Sequence, residues 1–284
     1  MSAFGGSIVA LVTPFKNGAV DIEKYKDLVR MHEKSGTSGV CAAGTTGEGG
    51  MLGRDERRAV FAAAREAAGA MKVIAGVGTN STRKTIQNAV IAAEEGADAL
   101  LVVTPYYNRP SDRGLVAHYE AVAKATRLPI ILYNVPSRTG LNMSPEVIGE
   151  LAKIPNVAAI KEASGSLAQI DRIRQTTKLQ IISGDDALTW PILKLGGVGV
   201  ISVAANIIPR EMRDLCAGTE STGIDKKFHR LFKTLFIETN PIPVKAAMRH
   251  MGLIDGDEMR LPLTPLSEEN DRILVDMLHD YSLM

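Results

Sequence analysis

The feature that most constrains the fold is a repeat: a short apolar run rich in β-branched residues precedes a longer amphipathic stretch, eight times along the chain. The runs are continuously apolar rather than alternating, which is typical of parallel strands covered on both faces. The predicted strands are 8–12, 39–43, 72–76, 99–103, 130–133, 157–161, 180–183 and 199–203. The predicted helices are 22–35, 54–69, 82–96, 113–126, 145–154, 167–176, 188–195 and 209–218.

Eight β–α units predict an α/β fold, a (β/α)8 TIM barrel that occupies residues 1–223. A doubly wound sheet is the alternative, but no GxGxxG motif follows the first strand. The remaining residues, 224–284, have helical patterns at 226–238, 244–250 and 268–281. We interpret them as a C-terminal helical region attached to the catalytic barrel.

Charge and apolar patterning narrow the ligand class. A net charge of +1 gives no general electrostatic reason to bind nucleic acid or an anionic membrane, so small molecules are the expected ligands. No apolar run approaches the ~20 residues of a membrane-spanning helix. Residues 1–8 lack the basic and apolar segments of an export signal.

The cysteines and possible metal ligands point to a protein without disulfides or metal. Cys41 and Cys216 are the two cysteines and form no CxxC motif, which suits a reducing cytosol. Asp185 and Asp186 are adjacent carboxylates, but no further ligand cluster accompanies them and the five histidines are scattered. We therefore expect a cytoplasmic protein with no metal.

Barrels of this kind carry their chemistry at the carboxyl ends of the strands, so polar residues there are the candidates. Lys161 ends the predicted sixth strand, and lysine is rarely buried without a partner or a purpose. Burial lowers the pKa of a lysine, and the neutral amine attacks carbonyl groups to form an imine. The alternatives are a lysine that reaches solvent or one that pairs with Glu162.

Two further strand ends carry hydroxyl groups. Tyr133 ends the fifth strand, where a phenol either shuttles a proton or simply packs. Thr45 and Thr46 follow the second strand in Gly-Thr-Thr-Gly-Glu at 44–48, whose glycines let the backbone turn tightly toward a ligand. That segment is either a carboxylate-binding turn with a proton relay or an ordinary loop.

Two loop residues complete the candidate set. Tyr107 follows Tyr106 after the fourth strand, and a ligand site or a subunit contact accounts equally well for the pair. Arg138 extends the loop after Tyr133, where a guanidinium suits a substrate carboxylate through a bidentate pair. A solvated loop arginine is the alternative.

Seven motifs in order along nearly the whole chain resemble the dihydrodipicolinate synthase and N-acetylneuraminate lyase superfamily of pyruvate-dependent barrels. They are Gly-Thr-Thr-Gly-Glu (44–48), Val-Thr-Pro-Tyr-Tyr-Asn-Arg-Pro (103–110), Tyr-Asn-Val-Pro-Ser-Arg-Thr-Gly (133–140), Ile-Lys-Glu-Ala (160–163), Ser-Gly-Asp-Asp (183–186), Gly-Val-Ile-Ser-Val (199–203) and Asn-Pro-Ile-Pro-Val-Lys (240–245). Within it, Gly-Thr-Thr-Gly, Tyr107 and Arg138 look like the dihydrodipicolinate synthase branch. The resemblance implies a lyase that condenses pyruvate with L-aspartate-4-semialdehyde to 4-hydroxy-tetrahydrodipicolinate, toward diaminopimelate and lysine.

The resemblance also implies roles for residues. Lys161 would be the Schiff-base lysine, and Tyr133, Thr45 and Tyr107 the proton relay, with Tyr107 acting across a subunit interface. Substrate binding would fall to Thr46, the backbone of Ile201 and Arg138. No cofactor is implied, and the usual assembly is a homotetramer, a dimer of dimers.

One departure from the family concerns feedback by lysine. Lysine-inhibited members carry a histidine after the Gly-Thr-Thr-Gly-Glu loop and a glutamate after Asn80, where this chain has Arg54 or Arg57, and Lys84. Added positive charge opposes binding of an ammonium group. We expect weak or absent lysine inhibition.

Two other functions remain open at this point. One is a different pyruvate aldolase of the superfamily, acting on N-acetylneuraminate or 2-keto-3-deoxygluconate. The other is a barrel that keeps the fold without catalysis.

Overall fold

The computed structural model describes residues 4–218 and 223–284. Eight parallel strands close into a barrel; each pairs with its neighbours in chain order, and the first also pairs with the eighth. The predicted (β/α)8 barrel is confirmed. The strands, called first to eighth below, are Gly6–Ala10, Gly39–Ala42, Lys72–Gly76, Ala99–Val103, Ile130–Asn134, Val157–Glu162, Gln180–Ser183 and Gly199–Ser202.

Helices cover the outside of the barrel, and several begin at a side-chain cap. Asp21, Ser81 and Ser144 each accept a hydrogen bond from a backbone N–H of the first turn. After Ser144, a proline occupies the first helical position, where a missing N–H costs nothing. The outer helices are Ile22–Lys34, Arg54–Ala67, Thr82–Glu94, Asp112–Lys124, Pro145–Leu151, Leu167–Thr176, Thr189–Lys194 and Pro209–Ala217.

The predicted first strand, 8–12, is displaced by two residues. Pairing with the eighth strand aligns Gly6 with Gly199, so the strand begins at residue 6. Leu11 and Val12 follow the strand but are fully buried in the outer core, which is why the apolar run extends past the strand.

The C-terminal region is helical, but the predicted single helix over 226–238 is wrong. Two short helices, Ile224–Lys227 and His229–Thr234, meet at Phe228, whose buried ring stacks on Tyr281 with centroids 5.0 Å apart. Phe228 departs from helical backbone geometry (φ −96°, ψ 11°) at the point where its ring packs against Tyr281. The helices Ile242–His250 and Glu268–Asp280 complete the region.

Short elements at the barrel mouth were not predicted. They are an antiparallel pair, Phe15–Lys16 with Ala19–Val20, a one-turn helix Pro136–Thr139, and a 3-10 turn Ala204–Asn206.

The core has two layers because successive strand residues point to opposite faces of the sheet. The inner layer fills the barrel with residues such as Cys41, Ile131 and Ile201. The outer layer lies between strands and helices and continues into the C-terminal helices through Leu231 and Leu274. The division at residue 223 stays an interpretation of the sequence. No helix within the described residues is long and apolar enough to cross a membrane.

Candidate active site

Lys161 and Tyr133 lie side by side at the carboxyl end of the barrel. They are register partners on the sixth and fifth strands, and each is 6% exposed. The Lys161 Nζ lies 4.4 Å from the centroid of the Tyr133 ring. Because alternate residues on a strand point inward, both side chains face the interior of the barrel. They lie at its carboxyl end, where barrels of this kind bind their substrates.

Lys161 does not pair with Glu162, which was one alternative for it. Glu162 is the next residue on the strand and therefore faces the outer layer, where it is 1% exposed. Its two carboxylate oxygens accept hydrogen bonds from Asn134 Nδ2 at 3.2 and 3.1 Å, and Oε1 also accepts from the Ser164 N–H. Burial raises the pKa of the Glu162 carboxyl, and these hydrogen bonds act in the opposite direction. Among the described residues Lys161 has no carboxylate partner.

The immediate surroundings of Lys161 are narrow and apolar. A Cβ at Gly184 would lie 3.1 Å from the Lys161 Cε and 2.7 Å from the Ala163 Cβ, so only glycine lets the seventh-strand loop approach this closely. The Cys41 thiol is close enough for the Lys161 charge to oppose the effect of burial, which raises the pKa of Cys41 to about 11.

A cavity of about 910 Å³ has Tyr133, but not Lys161, in its lining. Its lining includes Thr45, Tyr106, Tyr133, Arg138 and Asn240, so three of the predicted site residues border one space. The volume is that of a small-molecule pocket. The cavity wall also includes three positively charged residues, Arg54, Arg57 and Lys84.

The turn after the second strand presents its two threonines differently. The Thr45 side chain is exposed toward the cavity, whereas Thr46 is 3% exposed and its Oγ1 accepts a hydrogen bond from Asn240 Nδ2 at 3.0 Å. A Cβ at Gly49 would lie 1.9 Å from the Ala43 carbonyl oxygen, so glycine is required for this tight turn.

Arg138 lies in the one-turn helix Pro136–Thr139 rather than in an open loop. Its Nη2 donates a hydrogen bond to the Asn240 carbonyl oxygen at 3.2 Å, while the side chain as a whole is exposed. The guanidinium therefore keeps free donors toward the cavity.

The remaining two predicted residues lie apart from this cluster. Ile201 is 1% exposed on the eighth strand, in the same inner core as Tyr133, and does not line the cavity. Tyr107 has a left-handed backbone (φ 72°) and a side chain 90% exposed, outside the cavity lining. Within this single chain the structure does not bring Tyr107 to Lys161.

Asp186 serves the backbone at the end of the eighth strand. Its Oδ2 accepts hydrogen bonds from the N–H groups of Val203 and Ala204 at 3.1 and 2.9 Å. Burial raises the pKa of this carboxyl to about 6. The Asp186 side chain of the Asp185-Asp186 pair therefore has a structural role in the fold.

Two residues without a role in the sequence-based prediction lie beside the site. Asn240 contacts both Thr46 and Arg138, and Lys245 forms an ion pair with Glu48 of the Gly-Thr-Thr-Gly-Glu turn. Both belong to the Asn-Pro-Ile-Pro-Val-Lys motif. The motif itself was the available sequence signal for these two residues. Its packing over the barrel mouth cannot be predicted from periodicity.

The comparison with known families decides the relationship. The profile of the dihydrodipicolinate synthetase family matches residues 3–280. The chain belongs to this family. The resemblance inferred from the seven motifs is therefore confirmed, and the family assignment identifies the chain as an enzyme.

Individual relatives agree along their whole length. A 4-hydroxy-tetrahydrodipicolinate synthase of Persephonella marina is 45% identical, with 99% of each chain covered. A crystal structure of the chloride-inhibited dihydrodipicolinate synthase of Acinetobacter baumannii, complexed with pyruvate, is 42% identical with a TM-score of 0.96, covering 99% of this chain and 100% of that one. The enzyme of Cyanidioschyzon merolae with lysine bound is 41% identical with a TM-score of 0.96, covering 100% of both chains.

Proposed function

We propose that this member of the dihydrodipicolinate synthetase family condenses pyruvate with L-aspartate-4-semialdehyde to form 4-hydroxy-tetrahydrodipicolinate, for lysine and diaminopimelate biosynthesis. The observation that carries the proposal is Lys161: a buried lysine without a carboxylate partner among the described residues, against Tyr133 at the active end of the barrel. Relatives named for this reaction, and a relative complexed with pyruvate, support the choice of substrates.

The proposed chemistry uses amino-acid side chains and the two substrates. The Lys161 Nζ attacks the keto carbon of pyruvate, and the keto oxygen leaves as water to give a protonated imine. That imine withdraws electrons, so a methyl proton leaves and an enamine forms. The enamine carbon attacks the aldehyde carbon, whose oxygen becomes the product hydroxyl. The substrate amine then attacks the imine carbon, closes the ring and releases Lys161.

Each step assigns a role to the residues around the cavity. Tyr133, Thr45 and the Tyr107 of a second subunit relay protons, and their hydroxyl groups are suited to that task. Thr46 and the backbone of Ile201 hold the pyruvate. Arg138 holds the carboxylate of the semialdehyde, because its exposed guanidinium borders the cavity and has donors to spare.

We also propose that the enzyme is a cytoplasmic homotetramer, assembled as a dimer of dimers. Both cysteines are free thiols, which suits a reducing compartment. The exposure of Tyr107 is explained if this tyrosine enters the site of a neighbouring subunit.

A substrate comparison tests the proposal directly. Pyruvate is supplied with aspartate semialdehyde, and cleavage of N-acetylneuraminate and of 2-keto-3-deoxygluconate is measured separately at the same enzyme concentration. We expect rapid condensation of pyruvate with the semialdehyde and little cleavage of either sugar acid. Faster turnover of either sugar acid would replace the proposed reaction with that of another pyruvate aldolase.

A further inference from the structure

A fully buried ion pair lies just outside the reacting groups and has no part in the mechanism above. The Lys245 Nζ is 2.8 Å from the Glu48 Oε1, and both side chains are 0% exposed. Lysine and glutamate are almost never fully buried unless they are paired. The pair joins the helix Ile242–His250 of the C-terminal region to the turn that carries Thr45 and Thr46.

On one side of the pair, Glu48 is the last residue of that turn. Its N–H donates a hydrogen bond to the Thr45 carbonyl oxygen at 3.1 Å, and its backbone is left-handed, with φ 53°. The second carboxylate oxygen accepts a hydrogen bond from the Arg260 N–H at 3.1 Å. The residue that pairs with Lys245 is therefore hydrogen-bonded to Thr45 through its own backbone.

On the other side, Lys245 is held by its surroundings. Its Nζ also donates to the Glu258 carbonyl oxygen at 2.6 Å and lies 4.5 Å from the centroid of the Phe15 ring. The Arg260 guanidinium lies 4.6 Å from the same ring. Burial lowers the pKa of Lys245, and the charge of Glu48 opposes that effect.

A buried ion pair is a weak source of stability, because removing two charges from water offsets much of their attraction. A pair of apolar side chains would pack the same space without that cost. What the ion pair adds is a fixed distance and direction between the C-terminal helix and the turn.

We propose that Lys245 is a positioning residue, which holds Glu48 and thereby fixes Thr45 and Thr46 for proton transfer and pyruvate binding. The proposal rests on the proposed function for the roles of those threonines. Asn240 of the same segment provides a second link by donating to Thr46. From the barrel side, Thr13 Oγ1 donates to the Gly47 carbonyl oxygen at 2.7 Å, and the Arg57 guanidinium donates to the Gly49 carbonyl oxygen.

Two variants separate positioning from stability. Glu48→Asp keeps both charges but withdraws the carboxylate by one methylene. The double variant Glu48→Gln with Lys245→Met removes both charges, so no unpaired charge remains buried. Lys72→Met is the matched control, because Lys72 forms an ion pair with Asp98 at the opposite end of the barrel.

Three measurements are made on each full-length variant: the thermal unfolding midpoint, the borohydride-trapped pyruvate adduct at Lys161, and the exchange of pyruvate methyl protons in D₂O. We expect E48D and the double variant to remain folded and to form the adduct. Methyl exchange, which needs the proton relay, should slow about 10- to 100-fold in both and stay unchanged in K72M. Exchange at the wild-type rate in folded E48D, or an equal loss in K72M, would overturn the proposal.

A fourth measurement does not depend on the reaction. Amide hydrogen exchange of the peptide that contains residues 44–49 should accelerate in the double variant and not in K72M. If the wild-type protein formed no adduct, the proposed function would fail, and this measurement alone would decide the positioning role. Unchanged protection of residues 44–49 in the double variant would then overturn it.

Discussion

At the scale of single residues, the site is built from side chains that differ in what restrains them. Lys161 is enclosed by Tyr133 and by the close approach of Gly184, so its amine is kept in a narrow space without a counter-charge among the described residues. Arg138, by contrast, is exposed and restrained by one hydrogen bond to Asn240. The first arrangement suits a nucleophile of fixed position, and the second suits recognition of an entering substrate.

Arg138 gives the first prediction at this scale. Arg138→Ala should raise the KM for aspartate semialdehyde about 100-fold, because a hydrogen-bonded charge pair with the substrate contributes roughly 2–3 kcal/mol. The exchange of pyruvate methyl protons in D₂O, which occurs without the second substrate, should change little. Steady-state kinetics and NMR provide the two values. An equal loss of exchange would mean that Arg138 acts on pyruvate instead.

The second prediction at this scale concerns inhibition by lysine. The structure separates the two arginines left open by the sequence: Arg57 is buried and donates to carbonyl oxygens of Gly49 and Gly76, whereas Arg54 is exposed and lines the same cavity as Lys84. The positive charges of Arg54 and Lys84, both exposed, oppose an ammonium ligand there. We expect no inhibition by sub-millimolar lysine in a steady-state assay, and half-inhibition in that range would show that another group binds it.

At the scale of elements, the barrel could be predicted because its signal is local. Each strand is an apolar run and each helix an amphipathic one, so periodicity alone gave the eight units and their order. Where the predicted elements were wrong, the structure depends on contacts between residues far apart in the sequence. The helix predicted over 226–238 is divided at Phe228, where the ring packs on Tyr281, a contact that no local pattern shows.

The same reasoning explains which site residues could be found. Lys161 and Tyr133 are polar residues at the ends of apolar strands, so the sequence marks them directly. Asn240 and Lys245 contact Thr46 and Glu48 from 194 and 197 residues away. Those contacts depend on how the C-terminal region packs over the barrel mouth, which the sequence does not specify by any repeat.

The helix Ile22–Lys34 carries a prediction about pH. His32 is fully buried, its Nδ1 is 3.2 Å from Thr37 Oγ1, and burial lowers its pKa to about 4. Because the unfolded histidine titrates near 6.5, the unfolded chain binds the proton first and the folded state loses stability as pH falls from about 6.5 to about 4. Between pH 7 and 5 this group should remove about 2 kcal/mol from the free energy of unfolding.

Urea denaturation at the two pH values measures the effect. His32→Gln should reduce the difference in the free energy of unfolding between pH 7 and pH 5 by about 2 kcal/mol, since glutamine does not titrate. His229→Gln, at an exposed position, is the control and should leave the difference unchanged. An unchanged difference in the His32 variant would show that the folded protein protonates this ring as readily as the unfolded chain does.

At the scale of the whole molecule, the proton relay proposed for this site is incomplete within one chain. Lys161, Tyr133 and Thr45 lie at the barrel mouth, whereas Tyr107 is 90% exposed and lies outside the cavity lining. If Tyr107 acts in a neighbouring subunit, the smallest active unit is a dimer. The exposed aromatic ring is then an interface residue rather than a loose surface group.

Mixed subunits test this prediction. Lys161→Ala and Tyr107→Phe are each expected to be nearly inactive, but hybrids formed by dissociating and reassociating both together should regain activity. In a hybrid, the subunit with an intact Lys161 receives an intact Tyr107 from its partner. Activity no higher than the sum of the two separate variants would show that Tyr107 acts within its own subunit, or not at all.

In the proposed mechanism, Lys161 forms a Schiff base with pyruvate. Borohydride reduction of the folded protein in the presence of pyruvate, followed by mass spectrometry of the peptides, tests it most directly. We predict one stable adduct, the reduced imine of pyruvate, located on Lys161 and missing from Lys161→Ala. No adduct, or an adduct on Lys245 or another lysine instead, would contradict the claim.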